Sequence, residues 1–214
     1  MDSLRIAELL APFLVDAAGG RTALSEAQLK QVSDYLELLL RWNQKIGLTS
    51  VREPEHIVTR HFGESLFAAA HLLDPGSRET VIDVGSGAGF PGLPMKIYSP
   101  DVALALIEAN QKKSAFLKET VRVIGATGVS VFAGRAEEFT SRADLVTLRA
   151  VERFEAALEI SANLVTPGGR VALLIGSAQV ETAETLLGAF SWDAPVPIPQ
   201  SSQRVLFAGK SPKN

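Results

Sequence analysis

The residues best suited to chemistry are the run Asp83-Val84-Gly85-Ser86-Gly87-Ala88-Gly89-Phe90-Pro91-Gly92-Leu93-Pro94 and, further on, Glu108. Four glycines fall within the eight residues from Gly85 to Gly92, more than a tight turn needs. At a strand-to-helix turn, glycines permit positive φ and remove the Cβ atoms that would hold a ligand away from the backbone. The segment therefore reads as a cradle for a nucleotide-like ligand.

Two frames fit it. Gly87-Ala88-Gly89-Phe90-Pro91-Gly92 matches the dinucleotide pattern G-x-G-x-x-G, with Glu108 near the distance of a ribose-binding acid. An acid followed by Gly85, Gly87 and Gly89 is instead the loop of methyltransferases that hold S-adenosylmethionine. That cofactor has no pyrophosphate, and Pro91 and Pro94 remove two backbone donors where a phosphate would need them. The prolines favour the methyl donor. In that frame Glu108 accepts the ribose hydroxyls as charge-assisted hydrogen bonds. Ala136-Glu137 follows the third strand and fits either a contact to adenine or, for Glu137 with Glu138, an acid pair at a helix N-terminus.

The tip of the fourth strand, Val146-Thr147-Leu148-Arg149-Ala150-Val151, bears on the methyl acceptor. It has no Asn/Asp-Pro-Pro-aromatic run of the kind used on exocyclic amines, and a chain without cysteine has no thiolate for pyrimidine C5 chemistry. An acceptor with a free lone pair, such as N7 of guanine, needs orientation and electrostatics rather than a general base or nucleophile. Arg149 is a candidate orienting group, with a solvated strand-end arginine as the competing reading.

The elements that must hold these residues follow from the apolar pattern. Up to about Leu73 the chain reads as helical: Ser25 with Gln28 forms a capping box ahead of the stripe Leu29, Val32, Leu36, Leu39, Leu40 and Asn43. Glu53-Pro54 then opens a helix that ends at Asp74-Pro75-Gly76. Beyond Gly76, apolar runs at 80–84, 102–108, 129–133, 145–148 and 171–175 alternate with helical stretches at 93–98, 111–124, 153–164 and 179–186. This is the order of a parallel, doubly wound sheet. Two final runs, 190–196 and 204–208, have no helix between them and are expected to pair as an antiparallel, hairpin-like unit at one edge. The expectation is an α/β, Rossmann-like sheet with its last strand antiparallel (residues 76–214), carrying an N-terminal helical extension (residues 1–75) packed as one unit with it.

With zero Cys among 214 residues, disulfides and Cys-ligated metals are excluded. His56, His61 and His71 lack the i, i+4 pairing of a helical metal site, so no metal is expected. The first twenty residues mix Asp2, Arg5, Glu8 and Asp16 with apolar residues, unlike a signal peptide, and no run approaches a bilayer span. A cytoplasmic protein with no membrane contact is expected. The formal net charge of -3 means that any nucleic acid must be held by a local patch. Lys112, Lys113, Lys118 and Arg122 against Glu119 make one such patch. Arg41, Lys45, Arg52, Arg60, His61, Arg204 and Lys210 add further cations. Trp42, an aromatic on an amphipathic helix, reads as core rather than as a stacking platform.

Over nearly its whole length the chain resembles the ribosomal RNA small subunit methyltransferase G family, also called glucose-inhibited division protein B. The resemblance rests on Trp42-Asn43, Leu48-Thr49-Ser50-Val51, Arg60-His61, Ser65-Leu66, the glycine loop, Glu108 before Lys112-Lys113, Arg135-Ala136-Glu137-Glu138 and Arg149-Ala150. It implies an enzyme of the class I methyltransferase fold that uses S-adenosylmethionine to methylate N7 of one guanine, position 527 of 16S rRNA in the small ribosomal subunit. It also implies cofactor contacts from Gly85, Phe90, Ala136, Glu137 and Arg149, to which the loop adds Gly87 and Gly89, with Glu108 as the ribose acid. Lys112, Lys113, Arg60, His61 and Arg204 are the expected RNA contacts of a monomer. Gly47, Glu64 and Ile175 depart from the family pattern, which usually has Asn, Asp and Lys there. A nicotinamide-dependent oxidoreductase and a non-catalytic RNA-binding protein of the same fold are the alternatives.

Overall fold

The structure, a computed structural model, describes residues 1–213. After α1 (Ser3–Leu10), α2 (Glu26–Ile46) begins at the expected capping box: Gln28 N–H donates to the Ser25 hydroxyl while the Gln28 side chain accepts from Ser25 N–H. It ends at Gly47, whose φ of +61 suits glycine and whose N–H returns to Asn43 O. Its buried residues are Val32, Tyr35, Leu36, Leu38 and Leu39, so Tyr35 and Leu38 join the expected stripe, while Leu29 and Leu40 pack half-buried at its margin.

The helix opened by Glu53-Pro54 is not continuous. It runs as α3 (Pro54–Ile57), one π turn (Val58–Gly63) and α4 (Glu64–Leu72). A π turn inserts a residue and resets which face points inward. Here His61, Phe62, Gly63 and Glu64 are all buried.

The sheet comprises β1 (Thr80–Val84), β2 (Ala103–Ile107), β3 (Val129–Phe132), β4 (Ala143–Arg149), β5 (Val165–Gly176), β6 (Ser191–Trp192), β7 (Val196–Pro197) and β8 (Arg204–Lys210). Its order is β3-β2-β1-β4-β5-β8-β6, with β7 also paired to β8. The first five strands are parallel and β8 is antiparallel to β5. Helices α5 (Gly92–Tyr98), α6 (Gln111–Val123) and α7 (Phe154–Asn163) make parallel crossovers, a 3-10 turn (Ala136–Glu138) lies in the β3–β4 connection, and α8 (Val180–Leu186) leads from β5 to β6.

The last strands pair antiparallel at one edge as expected, with β8 on the inner side. β8 is internal, inserted between β5 and β6, and the 190–196 run is reduced to two two-residue strands on β8. Val205, Leu206, Phe207 and Ala208 are all buried, as a strand covered on both faces must be. Pro195 and Pro197 cannot donate to a ladder and confine their segment to the edge.

Strand order reverses at β1, which pairs with both β2 and β4, the point beyond whose carboxyl ends open α/β sheets bind ligands. One apolar core joins the helical segment to the sheet, running from Ile6 and Tyr35 through Phe90 and Phe116 to Ala208, while a second lies under α7 and α8. No helix among the described residues is long and apolar enough to cross a membrane.

Candidate active site

The glycine loop leaves β1 at the reversal point. Gly85, Gly87 and Gly89 all have positive φ, of +67, +57 and +88, but they serve different ends. A Cβ on Gly89 would strike the Tyr35 hydroxyl and lie 2.6 Å from Leu93 Cδ1. On Gly92 it would lie 2.7 Å from Leu106 Cδ2. Both glycines are required by the protein's own packing. A Cβ on Gly87 would meet only Gly85 O, at 3.8 Å. Space beside Gly87 is thus left open, and its backbone is what a ligand would touch.

Glu108, one residue past β2, is buried, and each of its carboxylate oxygens accepts one backbone N–H: Oε2 from Gly87 at 2.8 Å, Oε1 from Asn110 at 2.8 Å. Each oxygen keeps a second lone pair for a ligand hydroxyl. The carboxylate therefore fixes the loop beside the open side of Gly87.

From Gly89 to Pro94 the loop's donors are spent on the protein itself or absent. Gly89 and Phe90 N–H donate to Ser86 O, Gly92 N–H to Asp83 Oδ2 and Leu93 N–H to Gly89 O, while Pro91 and Pro94 have none. The helix N-terminus is spent on the protein itself, so the dinucleotide frame, which relies on it for pyrophosphate, does not fit. Asp83 is fully buried between that N–H and the Thr147 hydroxyl at 2.9 Å. Burial pushes its carboxyl up to about 6, against the pull of Thr147, Gly92, Ser86 and Arg149.

Arg149, at the end of β4, points inward. Its Nη2 donates to Glu64 Oε2 at 2.9 Å and to Arg60 O at 3.0 Å, and lies 3.0 Å from His61 Nδ1. Arg204 Nε approaches the same Glu64 oxygen at 3.0 Å, and its Nη2 donates to Leu174 O at 3.3 Å. The Arg149 and Glu64 side chains are 7% and 5% exposed, so one carboxylate holds two guanidinium groups largely out of water. His61 Nε2 meets the Thr49 hydroxyl at 2.7 Å. Burial, reinforced by Arg149, Arg60 and Arg204, lowers His61 to about 3. The ring is neutral at pH 7, with both nitrogens hydrogen-bonded.

The expected site residues separate accordingly. Gly87 and Glu108 are brought together by a hydrogen bond with open space beside Gly87, whereas Gly85 lies against Val151 and Gly89 is packed against Tyr35 and Leu93. Phe90 is buried and stacks on Tyr35, ring centroids 5.4 Å apart, rather than facing solvent. Ala136 and Glu137 lie on a short 3-10 turn after β3, with Glu137 exposed. Among the expected RNA contacts, Lys112 and Arg60 are exposed and Lys113 is half-buried, whereas His61 and Arg204 are engaged inside the Glu64 cluster. Beside that cluster, a cleft of about 470 Å³ lies between Thr59, Arg60 and Glu64 on one side and the turn from Pro199 to Gln203 on the other.

Sequence reasoning missed Tyr35, whose hydroxyl donates to Ala88 O in the loop, and treated Glu64 only as a departure from a pattern. The available signal was an acid inside the apolar run Phe62–Ala70, where a charge must be paired.

A profile of the GidB family, described as rRNA small subunit methyltransferase G, matches residues 28–196. The chain is 41% identical over 168 residues to the Ribosomal RNA small subunit methyltransferase G of Exiguobacterium sp., covering 75% of this chain and 70% of the relative. Among solved structures, the ribosomal protein L11 methylase from Lactobacillus delbrueckii subsp. bulgaricus superposes with a TM-score of 0.60 at 14% identity, over 72% of this chain and 79% of that one. P. horikoshii TYW2, solved in complex with MeSAdo, gives 0.58 at 17%, over 71% of this chain and 62% of that one, less than two thirds of its length. These two likenesses establish the fold alone. With a match that includes the glycine loop, Glu108 and Arg149, the chain belongs to the rRNA small subunit methyltransferase G (GidB) family.

Proposed function

We propose that the protein transfers the methyl group of S-adenosylmethionine to N7 of a guanine in the 16S rRNA of the small ribosomal subunit, in the cytoplasm. The observation that carries this reading is the Gly87–Glu108 pair: an open glycine backbone tied at 2.8 Å to a buried carboxylate with lone pairs to spare. Such a pair suits an adenosine ribose, and the spent donors from Gly89 to Pro94 suit a cofactor without pyrophosphate. When bound, the cofactor supplies an electrophilic sulfonium methyl group.

Gly85, Gly87 and Glu108 would hold the nucleoside end, with Ala136 and Glu137 beside the adenine and Phe90 backing the loop from within. Arg149 lies at the tip of β4 with its geometry fixed by Glu64 and Arg60 O, which suits an orienting group. His61, neutral, accepts from Arg149 at Nδ1 and is bonded to the Thr49 hydroxyl at Nε2, so neither ring nitrogen is open to a substrate, and attack by the N7 lone pair requires no proton transfer. The cleft beside Arg60 and Arg204 is the side from which a base would approach.

The test is methyl transfer to small ribosomal subunits, read by chemical cleavage at N7-methylguanine. A single cleavage site dependent on the enzyme is expected, and label on another atom, or none, would overturn the reading. Calorimetry should give tight S-adenosylhomocysteine binding and none for NAD; the reverse would favour the oxidoreductase.

A further inference from the structure

Away from the glycine loop, α2 and α6 enclose a second recess of about 310 Å³, lined by Leu38, Arg41, Trp42, Lys45, Ile46 and Glu119. Trp42 is half-buried and fixed: its indole N–H donates to Glu119 Oε2 at 3.0 Å, and its ring meets Phe116 edge-on with centroids 5.7 Å apart. Arg41 and Lys45, one residue before and three after it, are exposed on the rim. On α6, Lys112 lies seven residues before Glu119 and so on the same helix face, toward the end where α6 leaves Glu108. None of Arg41, Lys45, Lys112 and Lys113 takes part in an ion pair among the described residues. The acids close by are Glu37, one turn before Arg41, and Glu119, which is already bonded to the indole.

We propose that this recess is a second RNA-binding site, in which an unpaired nucleotide of the rRNA stacks against Trp42 while Arg41 and Lys45 hold its phosphates. An aromatic floor flanked by unpaired cations is the pattern that binds single-stranded nucleic acid with little sequence preference. Charge complementarity favours RNA over an acidic peptide, which has no base to stack. Continuity supports it too: Lys112 and Lys113 begin at the cofactor side, and Phe116 stands about 7.5 Å further along the helix axis than Gln111, so one bound strand can follow both. The site rests on the reading of the protein as an rRNA methyltransferase, but its test does not depend on methyl transfer.

The chain has two tryptophans, Trp42 and Trp192. Replacing the distant Trp192 (W192F) leaves Trp42 as the only indole reporter. Titrating this variant with oligouridine should quench Trp42 fluorescence saturably, and polyglutamate should not. The pair Arg41→Glu with Lys45→Glu should weaken oligouridine binding about tenfold and reduce the slope of log affinity against log salt by about 1.4, the value for two single-strand phosphates. Affinity for S-adenosylhomocysteine should not change. RNA binding without Trp42 quenching, equal quenching by polyglutamate, or an unchanged salt slope in the charge-reversed pair would each overturn the second site. Normal quenching in a protein that transfers no methyl group to small subunits would instead overturn the proposed function and leave the site standing.

Discussion

At the scale of single residues, the glycines of one loop have separable duties. Gly87→Ala costs the fold only the strain of a left-handed residue, about 1 kcal/mol, because its Cβ enters open space. S-adenosylhomocysteine affinity should nevertheless fall by more than tenfold in calorimetry. Gly89→Ala drives a methyl group into Tyr35 and Leu93 and should lower the melting temperature sharply. Glu64→Gln leaves two guanidinium groups without their shared carboxylate and should destabilise the protein by about 3–5 kcal/mol in denaturant unfolding. The pH dependence has two opposing sources. The folded pKa of His61 is depressed from 6.5 to about 3, so stability is lost as pH falls below 6.5. Asp83 is raised from 3.8 to about 6, so its contribution is lost as pH rises through that window. Unfolding measured against pH in His61→Gln should therefore lack the loss of stability on acidification that His61 causes, at most about 1.4 kcal/mol per pH unit. An unchanged slope would mean that His61 binds its proton as readily in the fold as in the unfolded chain.

Among the elements, α2 and the π turn are the parts of the helical segment that meet the glycine loop. Tyr35 donates to Ala88 O, stacks on Phe90, and meets Phe62 of the π turn edge-on at 4.9 Å. Loop, helix and π turn thus share one aromatic cluster, and a disturbance in any of them reaches the others. Tyr35→Phe keeps the ring and leaves the buried Ala88 carbonyl without its donor, a loss of about 1–3 kcal/mol. Weaker S-adenosylhomocysteine binding should accompany it, because the carbonyl belongs to the loop itself. Unchanged affinity would show that the loop holds its shape without α2.

For the whole molecule, a net charge of -3 repels polyanions at long range, so RNA recognition depends on where the cations are gathered. Charge reversal at Lys112 and Lys113, on the first turn of α6, should weaken binding to small subunits and reduce its salt slope while sparing the cofactor. Filter binding at several salt concentrations would measure both. If affinity and slope stayed as they were, that turn of α6 would be a solvated face.

The strand and helix order was legible in the sequence because buried parallel strands are short apolar runs and their crossovers have helical period. The loop and Glu108 were legible because glycine spacing and an acid one strand later are local signals. Position in the sheet was not. Only the tertiary structure places β8 inside it, since both β8 and the run before it are strand-like and burial on two faces decides which is internal. The sequence left the dinucleotide frame open, and the structure closes it through the hydrogen bonds of Gly89, Phe90, Gly92 and Leu93. The fold likewise turns Arg149, read as a cofactor or orienting group, and Arg204, read as an RNA contact, toward one buried carboxylate, with His61 bonded to Arg149. Charge is visible residue by residue, whereas whether it faces water or a partner 85 residues away is fixed by packing.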